Sequence, residues 1–275
     1  MLEELQDVQY ESLKDIASFC EKHGLKYALY CGTLLGAVRH HGFIPWDDDV
    51  DLVMPLEDYR RFEEMFPREM DQKYFLQTYH TDRECHVSWI KVNRRHTVYV
   101  ERKFADMGCD WGISVDIYPM IGISDIPWLA RLQCTLIRAC KVMVRLEYDR
   151  TEGMEYEGWK VINHVFDLFP RDMRLKMADM ILKFAMIDPR TTKLSCTIDG
   201  APTVGKYTQD MWRKLIYAPF RESRFLIPAE YDTILRIMYG EYMVPPPEGY
   251  RFRHFGDDVL FSTTKDRKEL SDDDR

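Results

Sequence analysis

Apolar residues recur near helical spacing at the start of the chain. Leu5, Val8, Leu13, Ile16 and Phe19 would share one face, and Gly24 suits a left-handed helix end. Tyr27 to Tyr30 then reads as a short strand running into Gly32-Thr33, and Leu34 to Val38 as a helical turn or short helix. After the loop His41 to Pro45, a strand is expected from Asp49 to Met54. Pro55 would open a helix that turns Leu56, Tyr59, Phe62 and Phe66 inward. Residues 74–79, 86–94 and 97–101 are rich in Tyr, Val, Trp and Thr and read as strands. Gly112 to Tyr118 alternates, with Ile113, Val115 and Ile117 on one face and Ser114, Asp116 and Tyr118 on the other.

From about Ser124 the pattern changes to helices, over 126–148, 158–168 and 171–187. The last third is irregular, with Pro219, Pro228 and Pro245 to Pro247. Strands early and helices late predict an α+β protein: a mixed β-sheet core with helical additions. We expect a sheet-bearing core over 1–123, a helical region and C-terminal segment over 124–262 packing on it as one continuous domain, and a charged tail over 263–275. Disorder is expected from Lys265 onward.

Composition narrows the class. The 275 residues are 45% hydrophobic and 31% charged, as in a globular protein. The formal charge of -8 argues against broad phosphate neutralisation along a nucleic acid, so no nucleic-acid partner is expected. Of the 46 acids, seven lie in two places (Asp47, Asp48, Asp49, Asp51 and Asp272 to Asp274), leaving 39 against 38 bases. The acidity is thus local. No basic, apolar leader opens the chain and no run of about 18 uncharged apolar residues occurs. The seven cysteines (20, 31, 85, 109, 134, 140 and 196) are odd in number and lack metal-type spacing. Reduced thiols and a cytoplasmic location are expected.

The densest chemistry is Trp46-Asp47-Asp48-Asp49-Val50-Asp51. Four like charges this close repel one another, and burying them without a cation is costly. In a strand, Asp49 and Asp51 would share a face with Cα atoms about 6–7 Å apart. Their hard oxygens suit Mg²⁺ or Mn²⁺. A solvated acidic turn is the plain alternative, weakened by Val50, Leu52 and Val53; an EF-hand-type Ca²⁺ pattern is lacking. Seventeen residues upstream of Asp49, Gly32-Thr33 at a strand-to-helix junction would let backbone N–H groups approach phosphate oxygens. Asp116 could supply a third metal ligand and accept the proton of an attacking hydroxyl, or be a solvent-facing polar residue. Lys91 shares a strand face with Trp89 and Asn93 and could reach a donor phosphate, or be solvated. Arg39 and His40 are weaker phosphate candidates, equally readable as surface residues.

CGTLLGAVRHHGFIPWDDDVDLVM resembles the core motif of the LicD family, bacterial phosphocholine transferases related to fukutin and fukutin-related protein. The similarity continues through SWIKVNRRHTVYVER and GISVDIYPM, and again through FLIPAEYDTILRIMYGEYMVPPPEGYRFRH. It covers 10–120 and 220–254 well and 124–215 only in general character. The resemblance implies a nucleotidyltransferase-like fold and metal-dependent transfer of a phospho-group from CDP-choline or another CDP-alditol such as CDP-ribitol. The acceptor would be a sugar hydroxyl of a cell-surface glycan, of the teichoic acid or lipopolysaccharide class, and CMP would be released. By motif, Gly32 and Thr33 fall at the phosphate loop, Asp49 and Asp51 at the metal pair, and Asp116 at the third carboxylate. Asp47 is a further acid of the motif, and Arg253 and His254 close the similar region; their roles stay open.

A choline head group would favour an aromatic cage. Trp46, Trp89, Trp111, Tyr239 and Tyr242 are available for it or for core packing. The predicted helix 126–146 carries Arg131, Arg138, Lys141 and Arg145 and no acid. It could rest on an anionic inner membrane face that presents a lipid-linked glycan, or be an ordinary solvated face. Two other functions remain open: a nucleotidyltransferase making a nucleotide-linked product, and a non-catalytic CDP-alcohol or metal-binding module.

Overall fold

A computed structural model describes residues 1–85, 87–105, 107–144, 166, 168–185, 191–196, 207–250 and 258–270. The chain divides into two compact units. The first collects Met1–Leu76, Lys91–Pro119 and Asp210–Arg275, the second Gln77–Ile90 and Met120–Gln209.

In the first unit, helix α1 (Leu2–His23) buries Leu5, Leu13, Ile16 and Phe19 and ends at Gly24, whose φ of 63° is the left-handed cap its sequence suggests. Short strand β1 (Ala28–Leu29) leads into α2 (Cys31–His40), and β2 (Asp51–Pro55) into α3 (Leu56–Met70). Then come β3 (Tyr74–Gln77), β4 (Ile90–Arg94), β5 (Val98–Glu101) and β6 (Ser114–Ile123). The strand order β1-β2-β6-β4-β3 places the late strand β6 between β2 and β4. Antiparallel β1–β2 pairing sets Ala28 opposite Val53 and Leu29 opposite Leu52. The layout is the α+β, nucleotidyltransferase-like one expected.

Local differences have physical reasons. Asp49 and Val50 precede β2, because the backbone there is held by side chains. The Gln6 and Gln9 amides of α1 donate to the carbonyls of Asp47 and Asp48, each at 2.9 Å. Pro55 ends β2 and stands just before α3 rather than inside it. β6 runs five residues beyond Tyr118 and is buried along both faces, so Asp116 does not face solvent.

The C-terminal region, expected to be irregular, returns to the first unit with regular structure. Hairpin β9 (Leu215–Phe220) and β10 (Ser223–Pro228) precedes α6 (Tyr231–Tyr239), and β11 (Val259–Ser262) pairs antiparallel with β5. Phe220 and Phe225 pack on Tyr10 of α1, whose hydroxyl donates to Ser223 Oγ at 2.8 Å. Arg267–Glu269, expected within a disordered tail, form a 3₁₀ turn with Asp266 and Glu269 as a capping box.

In the second unit, α4 (Pro127–Val144) and α5 (Arg171–Ala185) pack as an antiparallel pair. The Gln133 amide donates to the Ala185 carbonyl at 2.8 Å, and Arg171 Nη1 to the Val144 carbonyl at 2.9 Å. Residues Met120–Ile123 of β6 pair with β7 (Lys193–Cys196), which pairs with β8 (Tyr207–Thr208). The expected helix over 158–168 lies almost wholly outside the described residues. Six cysteines are free thiols; the Cys196 side chain lies outside the description. No helix among the described residues is long and apolar enough to cross a membrane.

Candidate active site

The predicted site residues all fall in the first unit. Asp51, the first residue of β2, is only 6% exposed, and its Oδ1 is buried without a hydrogen-bond partner. Burial pushes its carboxyl well above the usual aspartate range, and the neighbouring charges of Asp49, Asp116 and Asp47 push it further. The structure therefore gathers these four acids. Asp49 comes from the loop rather than from the strand pleat, so strand alternation was the wrong reason for a correct neighbourhood.

Asp116 is 9% exposed on β6, hydrogen-bonded through its own N–H to the Val50 carbonyl at 2.8 Å. Lys91 Nζ donates to both Asp116 carboxylate oxygens, at 2.7 and 2.8 Å, and Ser114 Oγ lies 3.2 Å from Oδ1. Lys91, read from the sequence as a phosphate contact, is thus held on the third carboxylate. The Tyr118 hydroxyl lies 3.5 Å from Asp116 Oδ2 and also hydrogen-bonds the Asp51 carboxyl. Its own pKa is raised by burial first, then by Asp51 and Asp116.

Gly32 lies in the first turn of α2. A Cβ there would meet Asp47 Oδ2 at 2.6 Å, so the missing side chain is what lets Asp47 approach the helix start. No side chain caps that helix. A carboxylate beside its N-terminal turn is electrostatically favoured. Thr33 is buried, and its hydroxyl accepts from the Asp51 N–H at 2.9 Å, fastening β2 to α2. Cys31 adopts φ 44°, rare for a residue with a side chain. Arg39 donates to the Tyr242 carbonyl at 2.6 Å, and burial lowers its pKa while Asp47 opposes that shift. Burial, then Arg39, lowers the pKa of His40.

Asp48 faces away from the cluster, accepting from the Tyr99 hydroxyl at 2.9 Å. Of the aromatic candidates, Trp111 packs against Val98, Val100, Leu260 and Leu270. Trp46 lies edge-on to His40 at 6.4 Å. Tyr242 donates to Asp232 at 2.7 Å. Tyr239 belongs to the site: although 44% exposed, its hydroxyl has a raised pKa, from burial first and then from Cys31, Asp51, Asp47 and Asp49. Arg253 and His254 lie outside the described residues.

Sequence reasoning missed Tyr118, although it shares the Ser114–Asp116 strand face and that signal was available. Tyr239 was read only as one of five aromatic candidates for a head-group cage or for core packing, and α6 brings it to the acids.

Asp49, Asp51 and Asp116 offer hard oxygens, and the unpartnered Asp51 Oδ1 among like charges is what a divalent cation would satisfy. The acids fit such an ion chemically. The tightest set of metal-type ligand atoms among the described residues lies elsewhere, in His96, Asp266 and Glu269, whose ligand atoms lie within 4.8 Å of one another. Those three are partly or fully exposed and already joined by hydrogen bonds: His96 Nδ1 to Asp266 Oδ2 at 3.0 Å, and Asp266 N–H to Glu269 at 2.9 Å.

Residues 24–124 match the family described as LicD/FKTN/FKRP, nucleotidyltransferase domain. The lipopolysaccharide cholinephosphotransferase LicD of Haemophilus influenzae is 24% identical over 256 residues, 90% of this chain and 93% of that protein. The ribitol 5-phosphate transferase FKRP of Homo sapiens is 44% identical over 55 residues, 20% of this chain and 11% of that protein. An uncharacterized protein of Rickettsia typhi is 44% identical over 59 residues, 22% of this chain and 19% of its own. Gly32 of α2, the acidic loop before β2 and Asp116 all lie inside the span that matches the LicD/FKTN/FKRP nucleotidyltransferase domain.

Proposed function

We propose that this protein transfers phosphocholine, or a related phospho-alditol, from a CDP-linked donor to a sugar hydroxyl of a glycan, releasing CMP. Support for phospho-group transfer comes from the near full-length similarity to a cholinephosphotransferase and the local similarity to a ribitol 5-phosphate transferase. The observation that carries the reading is Asp51, buried, with an unpartnered carboxylate oxygen, among Asp47, Asp49 and Asp116.

Asp49, Asp51 and Asp116 would hold Mg²⁺ or Mn²⁺, which supplies positive charge to offset that developing on the transferred phosphoryl oxygens. The chain does the rest. The acceptor hydroxyl oxygen forms a bond to the phosphorus that carries the alcohol, the bond from that phosphorus to the CMP oxygen breaks, and CMP leaves with the electron pair. Asp116 takes the hydroxyl proton. Lys91 and Tyr118 hold the Asp116 carboxylate in place. Thr33 fixes the backbone of Asp51. The start of α2, kept open by Gly32, is where donor phosphate oxygens would meet backbone N–H groups.

The test is CMP release from CDP-choline, CDP-ribitol and CDP-glycerol, with Mg²⁺ and with a chelator. Metal-dependent CMP release with at least one donor is expected. Pyrophosphate release from a nucleoside triphosphate, or binding of all three donors without turnover, would refute the reading in favour of nucleotidyl transfer or a binding module.

A further inference from the structure

We infer that the outer face of α4, in the second unit, is a docking surface for an anionic lipid bilayer. The inference stands apart from the catalytic reading, because every residue it uses lies in Met120–Gln209.

Helix α4 should bury its apolar residues against α5, and on one side it does: Ala130, Ile137, Cys140 and Val144 are buried. Its other side breaks the rule. Trp128 is 66% exposed and Leu132 44% exposed, one turn apart, and Ile126 just ahead of the helix is 50% exposed. Isolated exposed apolar residues are ordinary, but three together beginning with a tryptophan are not.

The charge carried by α4 itself is of one sign. Arg131 and Arg138 lie two turns apart on the flank next to Trp128 and Leu132, and α4 contains no acidic residue. Asp125, the nearest acid before the helix, is exposed and kept ionised by the Thr192 hydroxyl and N–H, so it stands as a single negative charge at the end of the stripe. Helix α5 adds to the balance. Its two acids are engaged, Asp172 with Arg83 at 3.2 Å and Asp179 with the Tyr79 hydroxyl at 2.8 Å.

An apolar ridge with a tryptophan, flanked by arginines on a helix that contains no acid, matches a bilayer interface. There the indole sits at head-group depth and the guanidinium groups meet lipid phosphates. Anionic lipid is the occupant whose charge complements this face. The side chain of Lys141 and all of Arg145, which extend the basic stripe in the sequence, lie outside the described residues.

The test is co-sedimentation of the full chain with phosphatidylcholine vesicles and with vesicles containing about 30% phosphatidylserine, near physiological salt. The wild-type protein should pellet with the anionic vesicles and stay largely in solution with the neutral ones. Arg131→Gln should lower the partition coefficient about fivefold, the loss expected for one surface charge. Trp128→Ser with Leu132→Ser should lower it about tenfold or more. Both changes are at exposed positions, so circular dichroism and melting should match wild type. Equal binding to both vesicle types, no binding to either, or partition unchanged in both variants would overturn the inference. So would a concentration-dependent dimer in sedimentation velocity that the double variant abolishes in the absence of lipid binding, since the face would then be a self-association surface.

Discussion

Asp51 joins the chemistry of the site to the stability of the protein. Its carboxyl is held well above the usual aspartate range by burial and by Asp49, Asp116 and Asp47. Without a cation, the folded chain therefore keeps a proton at a pH where the unfolded chain has already lost it. Stability is then greatest below the ordinary aspartate pKa and falls as pH rises from there through the raised value. In a chelator, the wild-type melting temperature should drop relative to Asp51→Asn across that range, and Mg²⁺ should recover part of the loss. Parallel melting curves for the two proteins at every pH would show that Asp51 is not held as described. The same substitution should lower CMP release by at least about 10²–10³-fold, as for loss of a group acting on developing charge, while leaving the far-ultraviolet spectrum unchanged. Near-wild-type turnover would remove Asp51 from the metal site. Lys91→Met tests a different role. If Lys91 holds Asp116 in place, the variant should lose kcat more than it raises the donor KM. A pure KM effect would return Lys91 to the phosphate contact read from the sequence.

At the scale of elements, the site is the junction of α2 with the loop before β2, and two small residues set how closely they meet. A Cβ on Gly36 would lie 2.4 Å from the Gly42 carbonyl oxygen, a backbone atom with little room to move. A Cβ on Gly32 meets the end of the Asp47 side chain, which can swing aside. Gly36→Ala should therefore cost about 1–3 kcal/mol in urea unfolding, and Gly32→Ala less stability but more activity. The reverse order would mean that the helix start does not serve the donor. Much of this junction was legible beforehand. Glycine before a hydroxyl residue at a strand end, then a dense acidic run, marked both partners and the helix between them. What spacing could not supply was the reason Asp49 and Asp51 meet. Alternation along a strand was the expected cause, whereas Gln6 and Gln9 of α1 shape the loop through the Asp47 and Asp48 carbonyls. The Thr33 hydroxyl was likewise legible as functional. Its bond to the Asp51 N–H, made across eighteen residues, was not. Tyr239 was legible only as one of several available aromatics, since it is the return of the C-terminal segment that sets it beside the acids.

At the scale of the molecule, the span that matches the family model is only part of what builds the site. Residues 24–124 hold every site residue assigned from the sequence, yet Tyr239 and the supports of the site come from either side. Helix α1 buries Leu5, Leu13, Ile16 and Phe19, each worth about 1.5–3 kcal/mol, or about 6–12 kcal/mol together. That approaches the whole stability of an ordinary domain, about 5–15 kcal/mol. Leu5 packs directly on Tyr99 and Ile113, the Tyr242 carbonyl holds Arg39, and β11 pairs with β5. An isolated 24–124 fragment should therefore lack a cooperative melting transition and show rapid amide exchange throughout β2 and β6. In the full chain those strands, buried on both faces, should be among the slowest to exchange. A fragment that melted cooperatively with protected β2 amides would mean that the terminal segments decorate a self-sufficient core. Collapse of the fragment would instead tie the acidic site to α1 and to the C-terminal return, so that the site is a product of chain closure rather than of the motif alone.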